Sequence, residues 1–483
     1  MLAALLLGGI AAAGPVDMVG VGAASMGRGG GGMALADGPE AAFLNPAGLA
    51  ALRAPRFELG AALLRTDLRP VPALWWDTNR DGLLDGADDP LRVEVNARPA
   101  DFVRLGIARP VGRRFGMGLS FQFPTTRLIR IETVEPALPH YLQYQNRLQR
   151  YEAAVGFGWE QIEGIRLGGA VEVLVRARYG LVSTLDVGAD PAAEGGLGDV
   201  VGPLVLDVHQ MTIDIVPAFA PIVSAQWDVG AQFPALEGLR LGGSWRGGTG
   251  LPVDVNVDVQ ANLRVAPTGG LGATTLPLVA PFALSVYDHS VPDKLTVGAG
   301  LQVERWAAAL DVYRLGWDEV QVNVTRVVDG ALTTPLLSLT DPSLRDGNPY
   351  TLVLAPVVGV RGGAEADLPP IPLPAPADAL TLTLRGGGGY EPTPLQAQGA
   401  GSAFLDGDRA FGSVGLGLRH GDPFGLVGGP VRWDAFAQLH RVARGILTLP
   451  EGDPPRPGAP IDGAPLPIGG SVWAAGAQFS VDF

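Results

Sequence analysis

The feature that most restricts this chain is a two-residue alternation. In Ile165–Arg178 one parity carries Ile165, Leu167, Gly169, Val171, Val173, Val175 and Ala177. The other carries Arg166, Gly168, Glu172, Arg176 and Arg178. Phe115–Phe123 and Arg150–Glu160 repeat the pattern, with Phe115, Met117, Leu119, Phe121 and Phe123, then Tyr151, Ala153, Val155, Phe157 and Trp159, on the oily side. Successive strand side chains point to opposite faces, so each stretch has one oily and one polar face. The stretches run to about nine to thirteen residues, near the length of tilted membrane strands and beyond the roughly five or six of soluble sheets. No apolar run reaches the roughly 18–20 residues of a membrane helix. A closed β-barrel is the remaining way to span a bilayer with satisfied backbone.

Composition narrows the alternatives. Hydrophobic residues make up 47% of the 483, too many for a disordered chain. The 69 glycines follow no three-residue period, which excludes collagen. There is no Cys, which removes disulfide frameworks and thiolate metal sites. A net charge of −14 argues against a nucleic-acid partner.

The pattern predicts strands near 56–66, 102–110, 115–123, 148–160, 165–178, 206–232, 239–248, 293–302, 304–316, 351–362, 378–390, 410–420, 430–443 and 471–483. That is an all-β, antiparallel transmembrane barrel of about 14 strands, the even number returning the C-terminus to the periplasmic side. Tight turns at 112–114, 162–164, 233–238 and around 303 alternate with long outer connections, including 67–101, 179–205 and 249–292. Met1–Ala13 reads as a signal peptide with an Ala11-x-Ala13 cleavage site, although a basic start is missing. The last strand alternates back from Phe483, a pattern resembling the signal read by barrel-assembly machinery. The cell outer membrane of a Gram-negative bacterium is the expected location, with outer-membrane lipid and lipopolysaccharide around the barrel.

From Gly20 the chain reads GVGAASMGRGGGGMALADGPEAAFLNPAGLA, with Asp37 followed by Asn45-Pro46-Ala47. Here it resembles the FadL/OmpP1/TodX family of outer-membrane transporters. The resemblance continues in order through Gly242-Gly243-Ser244-Trp245-Arg246, Pro292-Asp293-Lys294-Leu295, Asp311 to Trp317, Gly389-Tyr390-Glu391-Pro392 and Asp408-Arg409. It implies an N-terminal hatch over 14–54 inside a barrel over 55–483, with Asp37, Asn45, Pro46 and Ala47 as hatch or gate residues. It also implies uptake of hydrophobic small molecules, such as long-chain fatty acids or aromatic hydrocarbons. The ligand would be captured at outer loops, bound in the lumen and released sideways through the wall as the hatch moves. Gly116, Gly118, Gly156, Gly158, Gly168, Gly415 and Gly417 fall on the presumed inner face, leaving room for a plug. Gly29 to Gly32 suit a segment needing conformations closed to other residues.

Asp77, Asn79, Asp81, Leu83, Asp85 and Asp88, with Gly82 at the sixth position, have the spacing of an EF-hand-type calcium loop. A shorter Asp88 stands where Glu usually closes such a site, and the same residues also read as a plain acidic turn. Trp75 and Trp76 just before it read as interface anchors. Arg166, Arg176 and Arg178 are inward candidates to meet a ligand carboxylate, the ordinary alternative being contact with the hatch or water. Nothing points to an enzyme. His140, His209, His289, His420 and His440 are dispersed, and there is no G-x-S-x-G elbow. No cofactor is expected for transport. The alternative role is a barrel scaffold or partner in a secretion or surface-attachment system, which the calcium loop and acidic exterior would suit.

Overall fold

The computed structural model describes residues 22–71, 74–76, 86, 89–91, 99–125, 139–141, 143–144, 151–189, 201–249, 252–265, 274–287, 291–319, 326–330, 332–333, 338–339, 352–374, 379–398, 403–422, 425, 429–447 and 466–483. Fourteen strands among them form the wall. In chain order they are β1 (Arg56–Leu68), β2 (Ala100–Val111), β3 (Phe115–Pro124), β4 (Glu152–Ile162) and β5 (Ile165–Ala189). Next come β6 (Val201–Asp228), β7 (Leu239–Arg246), β8 (Lys294–Val303), β9 (Trp306–Leu315) and β10 (Val357–Asp367). The last are β11 (Ala379–Glu391), β12 (Arg409–His420), β13 (Val431–Leu447) and β14 (Leu466–Asp482). Each pairs antiparallel with the next. β14 returns to β1 from Arg56↔Asp482 to Leu68↔Gly470, so the wall has no free edge.

The expected alternation sorts residues to the two faces of this wall. On β4, Val155, Phe157 and Trp159 are 52%, 48% and 46% exposed, while Glu152 and Ala154 between the same neighbours are buried. The oily side is therefore outside and the polar side inside, the reverse of a soluble domain. Outward aromatics gather towards both ends of the wall. Trp159, Phe233, Trp306, Trp433 and Phe483 mark the short-turn end, and Trp245 and Trp473 the long-loop end. An apolar band between aromatic girdles on a closed antiparallel barrel is the build of an outer-membrane protein, and this chain is a multi-pass barrel of that membrane.

Tight turns close as the sequence suggests, with Gly112 and Gly164 at positive φ and Glu304 adopting φ 46° between β8 and β9. The β6–β7 turn instead holds two short 3-10 turns, Val229–Ala231 and Pro234–Leu236, so β6 ends at Asp228 rather than near 232. β4 begins at Glu152, after Tyr151, and the expected 148–150 lies outside the described residues. Several stretches expected as loops contain strand, two of them at length. β5 and β6 run on until Ala189 meets Val201, and Pro252–Val265 pairs with Thr274–Tyr287. The alternation of Val253, Val255, Val257 and Val259 continues beyond what the membrane requires, and pairing continues with it. Pro252–Val265 also lies parallel to the outer part of β5, apart from the antiparallel wall.

Candidate functional site: the filled lumen and its cavity

Residues 22–52 form a broken coil: α1 (Ala23–Gly27), a 3-10 turn Met33–Leu35, α2 (Ala41–Leu44) and a 3-10 turn Pro46–Ala51. None of these is long enough to satisfy its own backbone, so buried peptide groups must find partners elsewhere. The inner wall supplies them. Gln438 Nε2 of β13 donates to Met26 O at 2.7 Å, and Ser413 Oγ of β12 donates to Gly27 O at 3.1 Å. Gln226 Nε2 of β6 donates to Ala34 O at 2.8 Å. In the other direction, Ala23 N–H donates to Gln478 Oε1 of β14 at 3.0 Å and Ala47 N–H to Ser224 Oγ of β6 at 2.9 Å. The amides of Gly32 and Met33 both donate to Asp311 Oδ2 of β9, at 3.1 and 3.2 Å. Partners on five strands around the ring place this segment within the lumen.

Charge reinforces the contact. Arg28 Nη1 lies 2.9 Å from Glu365, which also accepts from Arg385 Nε at 2.8 Å; Arg385 Nη1 reaches Asp434 at 2.7 Å. Asp311 faces Arg361 at 3.4 Å. Gly29, Gly30 and Gly32 adopt φ of 76°, 68° and 106°, which explains glycine between α1 and the Met33 turn.

The Asn45-Pro46-Ala47 end is seated differently. Asn45 is fully buried and its Nδ2 donates to Met33 O at 3.2 Å, tying the two halves of the segment. Pro46, which has no N–H to lose, opens the following turn. That turn rests on inward glycines of β3, β4 and β5. A Cβ at Gly158 would stand 2.6 Å from Ala50 N, and one at Gly116 or Gly168 would overlap the Leu49 carbonyl or Ala47 N. Asp37 sits at the short-turn mouth, 3.2 Å from Arg56 Nη1, while Arg56 Nε reaches Asp482 at 2.6 Å. Burial pushes the Asp37 carboxyl up, but Arg56, Arg432 and Arg240 more than reverse this and hold it below the usual range.

Beside α1 lies a cavity of about 50 Å³, with Ala23, Met26, Leu64, Phe102, Phe436 and Ala474 forming its apolar body. Arg104, Gln122, Gln438, His440 and Gln478 supply its polar rim. Among the described residues lining it, Arg104 is the one cation, and it is engaged. It lies 3.1 Å from Glu58 and 3.7 Å from Glu40, and donates to Gln478 Oε1 at 2.9 Å and Ser120 Oγ at 3.3 Å. Across the β14–β1 seam, Gly60, Ala61, Ala477 and Gln478 also line a recess of about 480 Å³ on the membrane side. Its apolar walls include Leu59, Val103, Leu416 and Phe479.

Arg166 does face inward, but at the short-turn end of β5. Its Nη1 donates to Gln226 Oε1 at 2.8 Å, and it lies 3.5 Å from Glu160 and 3.8 Å from Asp228. It thus supports the wall residue that holds Ala34. Arg176 and Arg178 follow on the same strand, with side chains outside the described ones. The 77–88 acidic loop and the 1–13 segment lie outside the described residues; the loop's stems pair as Trp76↔Asp89 and Trp75↔Pro90. Among the described residues no His/Asp/Glu cluster could hold a metal. Gln226, Ser413 and Gln438 do not stand out in the sequence, and Asp311 does so only as the start of the Asp311 to Trp317 match; inward polar residues on membrane strands are the available signal.

On the loop side, a second apolar cluster joins Leu64, Leu68, Phe102, Tyr141, Tyr144, Leu405 and Leu466. Beneath it Arg409 pairs with Glu391, and Asp406 Oδ2 accepts from Thr393 Oγ1 at 2.7 Å and Gln143 Nε2 at 3.1 Å. Burial pushes Asp406 up to about 7 against these hydrogen bonds, with the neighbouring Asp408 charge adding to the rise. Burial also raises the Tyr144 hydroxyl, despite Arg409 beside it.

No family model and no curated protein matches the chain. Among solved structures it is similar to the Pseudomonas putida toluene transporter TodX at 14% identity, covering 96% of this chain and 98% of that one with a TM-score of 0.46. It is also similar to the Ralstonia pickettii toluene transporter TbuX at 14% identity, with 96% and 99% covered and a TM-score of 0.47. The CymD monoaromatic hydrocarbon channel is similar at 13% identity, with 96% and 98% covered and a TM-score of 0.45. The fold itself is established by the closed ring of strand pairings.

Proposed function

We propose that this chain is an outer-membrane channel for uptake of hydrophobic compounds, related to the FadL/OmpP1/TodX family, in which residues 22–52 act as the gate. The observation that carries the reading is the lumen: its bore is occupied by a segment whose backbone is held by wall side chains, with an apolar cavity alongside. A plug bound through separate polar contacts can leave without unfolding a wall whose own ladder is complete. An apolar molecule gains about 0.8 kcal/mol for each methylene taken out of water, so an apolar cavity retains it with few polar contacts. The same arithmetic opposes release into water and favours sideways release into the bilayer. The seam of small residues at Gly60, Ala61 and Ala477, shared by the cavity and the outer recess, is the place in the wall best suited to it.

The cavity favours uncharged compounds over carboxylates, because Glu58 and Glu40 already flank Arg104. A fatty-acid carboxylate entering it would compete with two carboxylates for one guanidinium. The 77–88 loop is proposed as a calcium site that orders the first outer connection. The test of transport is uptake of labelled toluene and labelled oleate by cells lacking, then expressing, the chain. Faster toluene uptake on expression is expected; equal uptake of both compounds with and without the chain overturns the reading.

A further inference from the structure

The cavity beside α1 is not wholly apolar, and two of its neutral polar atoms have no partner. Gln122 Nε2 of β3 and His440 Nδ1 of β13 are both buried without a hydrogen bond, on residues only 4% and 1% exposed. Both residues line the cavity. Most buried polar groups are paired, so two orphans on one small cavity call for an explanation.

The chemistry of the His440 site follows from its neighbours. Gln438 Nε2 donates to Met26 O at 2.7 Å, and a carbonyl oxygen can only accept, so the Gln438 amide is fixed with Oε1 turned the other way. That Oε1 lies 3.2 Å from His440 Nε2, which must therefore carry the proton. Nδ1 of the neutral ring is left as a bare acceptor. The ring is held by stacking on Phe411, with centroids 4.7 Å apart and planes 17° apart. The cavity thus presents one fixed acceptor, from His440, and one donor, from Gln122, around an apolar body.

We infer that this cavity is a selectivity site for uncharged hydrophobic molecules bearing a hydroxyl, such as phenols or apolar alcohols. The inference rests on the transport reading above. A hydroxyl both donates and accepts without carrying charge, so it meets either atom. A plain hydrocarbon leaves both atoms buried and unpaired, and an ether or ketone cannot donate to Nδ1. A carboxylate brings its charge beside Glu58 and Glu40, which already flank the cavity's one cation, Arg104. The present volume of about 50 Å³ is below the roughly 150 Å³ that accommodates benzene in an engineered apolar cavity, so a ring enters only as the plug yields. Met26 is the side chain positioned to yield: it lines the cavity from the plug, and a thioether chain repacks easily.

The experiment compares uptake of labelled p-cresol and labelled toluene by cells expressing the full chain, each corrected for cells lacking it. The wild type is expected to favour cresol by about tenfold, the effect of leaving a buried polar atom unpaired when toluene binds. His440→Phe, which keeps the stack on Phe411 but removes Nδ1, should bring the ratio towards one by raising toluene and lowering cresol. Gln122→Leu should move it the same way, and serves if the first variant fails to assemble. A cresol-to-toluene ratio near one in the wild type, or a ratio unchanged in both assembled variants, overturns the inference while leaving transport intact. It would mean that the two atoms bind only water. No chain-dependent uptake of either compound overturns the transport reading and the inference with it.

Discussion

The two ends of the lumenal segment both press on bare glycine backbone, but they differ in how many polar contacts hold them. Under the first, a Cβ at Gly387 or Gly363 would stand 2.4 or 2.5 Å from Arg28 backbone atoms. From Ala23 to Ala34 the contact is polar and distributed, with Gln478, Gln438, Ser413, Asp311, Gln226 and Glu365 each taking one or two atoms. From Pro46 to Ala51 it is mainly steric, a turn pressed on the bare backbone of Gly116, Gly158 and Gly168. Polar contacts can be lost one at a time, each worth about 1 kcal/mol net. A close-packed seat on glycine fits or does not. The first end therefore has several polar contacts to shed stepwise, whereas the second, tied to the wall by Ala47 N–H to Ser224, depends more on its glycine seat and is the anchor.

The largest effect should come from Asp311→Ala, which leaves Arg361 buried without its carboxylate and unpairs the Gly32 and Met33 amides. Breaking a buried pair in this way costs about 3–5 kcal/mol. Limited proteolysis mapped by mass should show cutting near 28–33 while 46–51 stays protected; protection at both ends would erase the distinction. Gly168→Ala should do the reverse. Its new Cβ overlaps Ala47 N, so the anchor is forced off its seat at a cost of about 1–3 kcal/mol, and cutting should appear near 45–50 first. Gln438→Leu removes one donor from the distributed end. It should cost only about 1 kcal/mol, read as a modest rise in hydrogen exchange at Met26 and Gly27.

The smallest effect on the plug should come from pH, because Asp406 belongs to the loop-side cluster above it. Its folded pKa, about 7, is raised above the ordinary 3.8. The folded form therefore keeps a proton that the unfolded chain has lost. Its contribution is fully present below about 3.8 and is lost as pH rises through about 7. Protection at 403–408, corrected for the intrinsic exchange rate at each pH, should fall from pH 5 to 8, and Asp406→Asn should flatten that dependence. A protection factor unchanged from pH 5 to 8 in the wild type would contradict the assignment.

Much of the wall was legible because inside and outside impose opposite polarity on alternate residues, and Val155, Phe157 and Trp159 against Glu152 show it directly. The inward glycines were legible for the same reason. The partners of the lumenal backbone were not. Asp311 meets Gly32 across 279 positions and Gln438 meets Met26 across 412, separations that no local pattern encodes. The cavity was hidden too, since it is built from five neighbouring strands that a linear reading keeps far apart. The extra strand at Pro252–Val265 was visible as alternation but falls beyond the length that a bilayer requires.

The central claim is that passage requires the α1 end to move. The chain has no Cys, so Met26→Cys with Gln438→Cys introduces one thiol pair, where the native side chains already touch. Joined by a short bifunctional thiol reagent that can be cleaved by reduction, the pair fixes plug to wall. Uptake of labelled toluene should stop when the link is formed and return when it is cleaved. Undiminished uptake by fully linked protein would contradict the account.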